Sequence, residues 1–209
     1  MERREIIEEA VALLDEAGHD GVTMRVLAAR LQVSAPSLYW HYPSKQKLLE
    51  DVADSLVEGV APQSTKEANP HERLLRLLAD FRDALLSHRD GGRVFAGTFA
   101  LGPHVLDLSE AATSLLLETG ITDPGDALDA WFNLVRFTVG SVIEQQATTE
   151  QLNELESRRS AFENASIARP TLRAAAERLF APDEDRRFHD GARLLIAVPR
   201  GGASPPRTI

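Results

Sequence analysis

Arg25, Arg30, Tyr39, Trp40, His41, Lys45 and Lys47 all donate hydrogen bonds or carry positive charge, and they lie close together in the chain. From Gly21 to Leu49 it reads GVTMRVLAARLQVSAPSLYWHYPSKQKLL, 29 residues without one Asp or Glu, in a 209-residue protein with 32 acids and a net charge of −9. Arg25, Arg30, Lys45 and Lys47 give this stretch a local +4. Three of the chain's four Trp and Tyr residues fall at 39–42. Cations interleaved with aromatics are the footprint of a surface that faces phosphates and base edges. The acidic remainder argues against indiscriminate binding to nucleic acid.

Bond-making chemistry finds little support. There is no Cys, which excludes disulfides, thiolate metal sites and a cysteine nucleophile. The six histidines, at 19, 41, 71, 88, 104 and 189, include no pair three or four residues apart, so no helical metal motif exists. RDGG (89–92) and RGG (200–202) are too short for a phosphate loop and follow no strand, and there is no G-x-S-x-G elbow. His88 beside RDGG reads as a capping or dipole partner at a helix end. No enzyme activity, cofactor or metal is expected.

The elements that must position the basic stretch are helices. Ile6, Ile7, Ala10, Val11, Leu13 and Leu14 recur at helical spacing, and Gly18 ends that helix. A second runs from Met24 to Leu31 behind an N-cap at Thr23, burying Val26, Leu27 and Leu31. Gln32 and Val33 turn the chain. Ser34 caps a third helix, Ala35 to His41, with Pro36 tolerated in its first turn. It stops because Tyr42 precedes Pro43. Ser44 caps a fourth, from Lys45 to about Val60. Two short helices joined by a tight turn are a helix-turn-helix, whose second helix enters the DNA major groove. In so small a unit large side chains fill the centre, which would assign Tyr39, Trp40 and Tyr42 to the core. Yet a two-turn helix cannot bury four consecutive large residues on one face. Tyr39 and His41 are therefore candidates for outward contacts, and Trp40 fits either reading.

The polar, breaker-rich APQSTKEANP separates this unit (1–60) from a larger body (61–198) and a frayed tail (199–209). In the body, Asn69, Pro70 and Glu72 start a helix that reaches about His88. Further helices are expected at about Val94–Phe99, His104–Thr119, Asp123 to Thr148, Pro170–Phe180 and Glu184–Val198. Gln151 to Arg169 is polar, weakly periodic and expected to be mobile. The fold class is all-α. The charged, amphipathic start is not a signal peptide, and no apolar run approaches the roughly 18 residues of a membrane span, so a cytoplasmic location is expected.

The succession of helix, Gly turn, T-x-R-x-L-A, short turn, a helix ending L-Y-x-H, and a Lys opening the next helix resembles the DNA-binding domain of the TetR-type repressors. FRDALLSHRDGGRVFAGT (81–98) and RFTVGSVIEQQ (136–146) resemble the regulatory domain of the tetracycline repressors. The resemblance implies that Arg25 reads a guanine edge, that Pro36 and Ser37 touch bases, and that Tyr39, His41 and Lys45 contact or clamp phosphates. Ala35 stands where the tetracycline repressors have an adenine-reading glutamine, which leaves the operator sequence open. Trp40 completes the candidate DNA-binding set. Lys45 is also well sited on its own, since a phosphate at a helix N-terminus would meet both it and the dipole.

The same resemblance makes the body a dimerisation and ligand domain. The helices 124–148 and 184–198 match the pair that builds a four-helix interface with a second copy. Ala127, Leu128, Trp131, Leu134, Val135, Val139 and Val142, with Phe188, Ala192, Leu195 and Ile196, form a stripe wide enough for that, though intrachain core would also explain them. Candidate ligand residues are Leu77, Phe81, Phe95, Thr98, Phe99, Phe132, Arg136, Phe137 and Glu144. Phe81, Thr98 and Glu144 match ligand-side positions of the tetracycline repressors. Phe95 replaces a magnesium-binding histidine, Leu77 a drug-holding asparagine, and Ala61 and Arg136 two further histidines. Glu144 alone is a poor magnesium site, so loss of metal–tetracycline recognition is expected. An apolar pocket with few polar groups remains, in which Arg136 either pairs with Glu144 or takes an anionic or carbonyl group of the ligand. The hinge is expected at 60–69. The function these features imply is a repressor that binds a palindromic operator as a homodimer and is released by a small apolar inducer. A protein-interaction module or an activator of the same fold are the competing readings.

Overall fold

Side chains that take over orphan N–H groups start the helices where local chemistry places them. Thr23 Oγ1 accepts from the Val26 N–H, Ser34 Oγ from Ser37, Ser44 Oγ from Lys47 and Asn69 Oδ1 from Glu72. The computed structural model describes residues 2–60, 69–98, 100–150, 155–180 and 183–197. Among them are twelve helices and no strand: α1 (Arg3–Gly21), α2 (Met24–Arg30), α3 (Ala35–His41), α4 (Lys45–Leu56), α5 (Pro70–Leu86), α6 (Gly91–Ala96), α7 (Pro103–Glu118), α8 (Pro124–Glu150), α9 (Leu155–Ala165), α10 (Pro170–Ala174), α11 (Ala176–Phe180) and α12 (Glu184–Ala197). Inside α1 the chain turns at Gly18, whose φ of +71° breaks the helix at the expected residue.

Four elements differ from expectation. α6 spans Gly91–Ala96 in place of about Val94–Phe99, so the glycines of RDGG open it. α4 ends at Leu56, short of Val60. The polar segment after α8 forms α9, whose Phe162 packs edge-on against Phe180 of α11, with Arg159 over the same ring. Residues 170–180 form two short helices instead of one. Of the expected hinge at 60–69, residues 61–68, Ala61 among them, lie outside the described residues, as do Phe99 and the tail.

α1 and α4 enclose the first core, with Ile6, Ala10, Leu13, Leu14, Leu27, Leu38, Tyr42, Leu48 and Val52 buried. In the body α5, α7 and α8 pack on one another, α6 lies on α8, and α12 lies on α5 and α8. Trp131 is the largest side chain of that core, and its indole N–H donates to Ser109 Oγ at 3.0 Å. The broad stripe of α8 divides. Ala127, Trp131, Leu134, Val139 and Val142 face the chain's own body, whereas Leu128 and Phe132 remain exposed. On α12, Phe188 and Ala192 are buried, and Leu194 and Leu195 are exposed. No described helix is long and apolar enough to cross a membrane.

Candidate nucleic-acid interface and effector cavity

The packing of α3 decides which aromatics can meet a partner. Leu38 and Tyr42 lie four residues apart, share a face and are fully buried. Trp40, two residues from each, points the other way and is 90% exposed; the core reading of Trp40 is therefore wrong, and Tyr42 alone of the cluster fills the centre. Tyr39 is also exposed. Pro36 is exposed, and Ala35, Ser37 and His41 are half-buried on the same short helix. Arg25 is exposed near the start of α2 and has no hydrogen-bond or ion-pair partner among the described residues. Arg25, Trp40 and Tyr39 thus form an outward set with uncommitted donors.

The linear +4 does not survive folding. Arg30 is turned back onto α1, its Nη1 and Nη2 2.6 and 2.9 Å from the Glu16 carboxylate and its Nε 2.5 Å from Glu9. The hydrogen bonds to Glu16 first, and then Glu9, raise the guanidinium above its ordinary range. Lys47 pairs with Glu50 at 2.8 Å and Asp51 at 3.7 Å. Lys45, half-buried, donates to the His19 carbonyl at 3.2 Å and ties α4 to the end of α1.

The opposite side of the first four helices meets the body in a dense polar seam. The His19 N–H donates to Asp90 at 2.8 Å, the Arg89 N–H to Asp15 at 3.1 Å, and Arg89 Nη1 to the Glu16 carbonyl at 2.9 Å. His88 Nδ1 lies 3.1 Å from Asp15, so this histidine, just past the end of α5, also joins the body to α1. Asp20 sits between His19 and Arg93, and its carboxyl is held below the usual range chiefly by the His19 hydrogen bond. Gln46 donates to the Gly97 carbonyl at 2.9 Å. Asp54 of α4 reaches across to accept the Val105 N–H at 2.8 Å, a cap that α7 cannot supply from its own Gly102. A Cβ on Gly102 would stand 2.2 Å from Asp54 Cγ, so a side chain there would push the capping carboxylate out of place.

The candidate ligand residues fall into separate places. Leu77 and Phe81 are fully buried, and Phe81 meets Phe95 edge-on at 5.1 Å and Trp131 at 6.1 Å. Thr98 Oγ1 donates to the Phe95 carbonyl at 3.1 Å. Phe132 is exposed on α8. Arg136, Phe137 and Glu144 instead line a cleft of about 390 Å³ between α8 and the start of α12, together with Gly140, Ser141, Gln145, Glu184, Arg187 and Phe188. Its floor is the stacked pair Phe137 and Phe188, 5.5 Å apart, and its rim is charged. It is more polar than the expected apolar pocket. Arg136 donates to Asn133 at 3.2 Å and lies over the Phe132 ring at 5.9 Å.

Several working residues carry no local signal in the sequence. Arg82 of α5 is buried behind this cleft, bound to Gln145 at 2.6 Å and Asp185 at 2.9 Å, with its Nε unpartnered. Gln146, next in the chain, holds the α5–α6 turn. Its amide donates to the His88 carbonyl at 2.8 Å and accepts from the Gly92 N–H at 3.3 Å. The cleft is thereby one residue along α8 from the turn that carries the seam.

Two family models match the chain: residues 6–52 fit "Bacterial regulatory proteins, tetR family", and residues 62–197 fit "Tetracyclin repressor-like, C-terminal domain". The tetracycline repressor protein class A from transposon 1721 of Escherichia coli is 36% identical over 193 residues, 91% of this chain and 87% of that protein. Streptomyces coelicolor ActR in complex with (S)-DNPA is 26% identical, superimposes with a TM-score of 0.84 and covers 94% of this chain and 96% of its own. BioQ with its double-stranded DNA operator is 29% identical, with a TM-score of 0.65 over 72% of this chain and 89% of its own.

Proposed function

Because this chain belongs to the TetR family of bacterial regulatory proteins, we propose that it is a ligand-responsive repressor that binds a palindromic operator as a homodimer. Residues 1–60 form the reading unit and 61–198 the regulatory body. The observation that carries this reading is the outward set on α2 and α3, where Arg25 and Trp40 are exposed and uncommitted while neighbouring cations are neutralised. Arg25 reads a guanine edge. Ala35, Pro36 and Ser37 approach bases, and Tyr39, Trp40, His41 and Lys45 border the phosphates.

The exposed faces of α8 (Leu128, Phe132) and α12 (Leu194, Leu195) meet their counterparts in the second copy, over helices 124–148 and 184–198. Two-fold pairing presents two reading helices about 34–36 Å apart, one turn of duplex. The effector is a small, largely apolar molecule seated on Phe137 and Phe188, with Arg136 and Glu144 at its polar end. The positions that would hold magnesium–tetracycline do not fit it. Phe95 offers a ring packed against Phe81 in place of an imidazole, and Leu77 is apolar and buried. An effector that displaces Glu144 and Gln145 disturbs Gln146, the turn it holds, and through Asp15 and His19 the angle of α1. The population then shifts away from the DNA-competent spacing.

A gel shift against the DNA upstream of the protein's own gene, at 50 and 200 mM salt, tests the reading. A shift that weakens steeply with salt supports it. No shift, or one indifferent to salt, supports an interaction module instead.

A further inference from the structure

The reading role proposed above falls on α3, a helix of seven residues. So short a helix is marginal alone, and its last carbonyls have no partner within it. The structure shows what holds its far end. Arg3, at the start of α1 and outside the acid-free stretch, donates from Nη2 to the His41 carbonyl at 3.1 Å. A cation on the final carbonyls also opposes the helix dipole. The same guanidinium lies 5.3 Å over the ring of Tyr42, the residue that ends α3. Tyr42 is fully buried, its N–H donates to the Leu38 carbonyl at 3.0 Å, and its hydroxyl donates to Asp51 of α4 at 2.9 Å.

We propose that Arg3, Tyr42 and Asp51 form a clamp that fixes the C-terminal end of α3 between α1 and α4, and so sets the angle at which the reading face meets the groove. These are positioning residues. None needs to touch DNA, and the inference rests on the operator-reading role of α3.

Arg3 is exposed, so a direct phosphate contact is the rival explanation. The two differ in salt dependence. Loss of a phosphate contact lowers the slope of log K against log salt by about one per half-site, whereas loss of a positioning residue leaves it unchanged. Full-length Arg3→Ala, Arg3→Lys and Tyr42→Phe are to be compared with the parent on two duplexes, the upstream region and a random sequence, between 50 and 200 mM salt. Backbone amide exchange over Leu38–Tyr42 is measured without DNA.

Arg3→Ala is expected to weaken upstream-region binding about tenfold, as loss of a charge-assisted bond does. Random-sequence affinity and the salt slope stay unchanged, and exchange at Tyr42 speeds by a similar factor while α1 and α4 keep their protection. Arg3→Lys restores part of this, keeping the charge but not the planar stack. Tyr42→Phe acts in the same direction. A fall in slope assigns Arg3 to a phosphate and overturns the clamp. Unchanged exchange at Leu38–Tyr42, or faster exchange throughout the first four helices, overturns it equally. If the parent itself ignores the upstream duplex, the operator-reading role fails, and amide exchange still decides the clamp.

Discussion

The first four helices present two polar surfaces built in opposite ways. Toward the body, almost every polar group is spent. Asp15, His19, Asp20, Gln46 and Asp54 each have a partner across the seam, several of them backbone groups held at 2.8–3.1 Å. On the outward face of α2 and α3, Arg25 has no partner among the described residues and Trp40 stands 90% exposed. A seam with satisfied groups fixes an orientation. A face with unsatisfied donors awaits something that brings acceptors, and its local charge is smaller than the sequence suggests because Arg30 and Lys47 are spent inside the protein. Net charge along a segment is thus a weaker guide to a nucleic-acid surface than the count of cations left unpaired after folding.

Arg25→Ala should separate the two surfaces most strongly. On the outward face it should cost DNA binding alone. A bidentate base contact is worth roughly 1–3 kcal/mol per half-site, so two half-sites together remove specific binding. Melting temperature and dimer content should not change, because Arg25 is exposed and has no hydrogen-bond or ion-pair partner among the described residues. Footprinting and a thermal melt check this. An intact footprint, or a lowered melting temperature, would show that the outward face is not what the contrast makes it.

The converse substitution lies in the seam. Gly102→Ala forces a Cβ to within 2.2 Å of Asp54 Cγ, and overpacking of this kind costs about 1–3 kcal/mol. The loss should appear in the DNA-free melt, accompanied by weakened operator binding with an unaltered salt slope. Asp54→Ala, which uncaps α7, should cost about 0.5–2 kcal/mol. A Gly102→Ala protein as stable as the parent would mean that the seam yields and does not fix the angle of the reading unit.

Much of the reading unit was legible because its signals are local. A Ser, Thr or Asn cap acts on an N–H three residues ahead, so Thr23, Ser34 and Ser44 mark the starts of their helices from spacing alone, as Asn69 does for the first helix of the body. Tyr42 and Trp40 were harder. The four-residue step from Leu38 to Tyr42 was available, but hydrophobicity points more strongly to Trp40. Arg30 could not be read at all, since its partners Glu9 and Glu16 lie 21 and 14 residues away in another helix. The cleft was only partly legible: Arg136, Phe137 and Glu144 were found on α8, but Glu184, Arg187 and Phe188 come from a helix that only tertiary packing brings alongside. α9 was missed because its few apolar residues meet α11 and not a continuous stripe.

A smaller effect separates the two tyrosine environments. Burial, then the hydrogen bond to Asp51, raises the Tyr42 hydroxyl above its ordinary 10.0. A group whose pKa is raised on folding contributes stability fully present below its unfolded value and lost as pH climbs past it. Melting temperature should therefore be insensitive to this residue up to about pH 9 and decline above pH 10, and Tyr42→Phe should remove that part of the alkaline decline. Equal alkaline loss in parent and variant would place the Tyr42 hydroxyl in water.

The same distinction between spent and unspent groups predicts an effect of zero. By the family resemblance Leu77, Phe81 and Phe95 match positions at which the tetracycline repressors hold drug and metal, but here Leu77 is buried and Phe81 packs against Phe95 and Trp131. A ligand at a hundred times its dissociation constant stabilises a folded protein by about 2.7 kcal/mol, several degrees in a melt of a chain this size. Magnesium–tetracycline should give none of it. Compounds with an apolar body and one polar end should give a shift that Arg136→Ala diminishes, because the α8–α12 cleft sets charged groups beside the stacked Phe137 and Phe188. A clear stabilisation by magnesium–tetracycline, unaffected by Arg136→Ala, would return the effector site to Phe81 and Phe95 and require their packing to open.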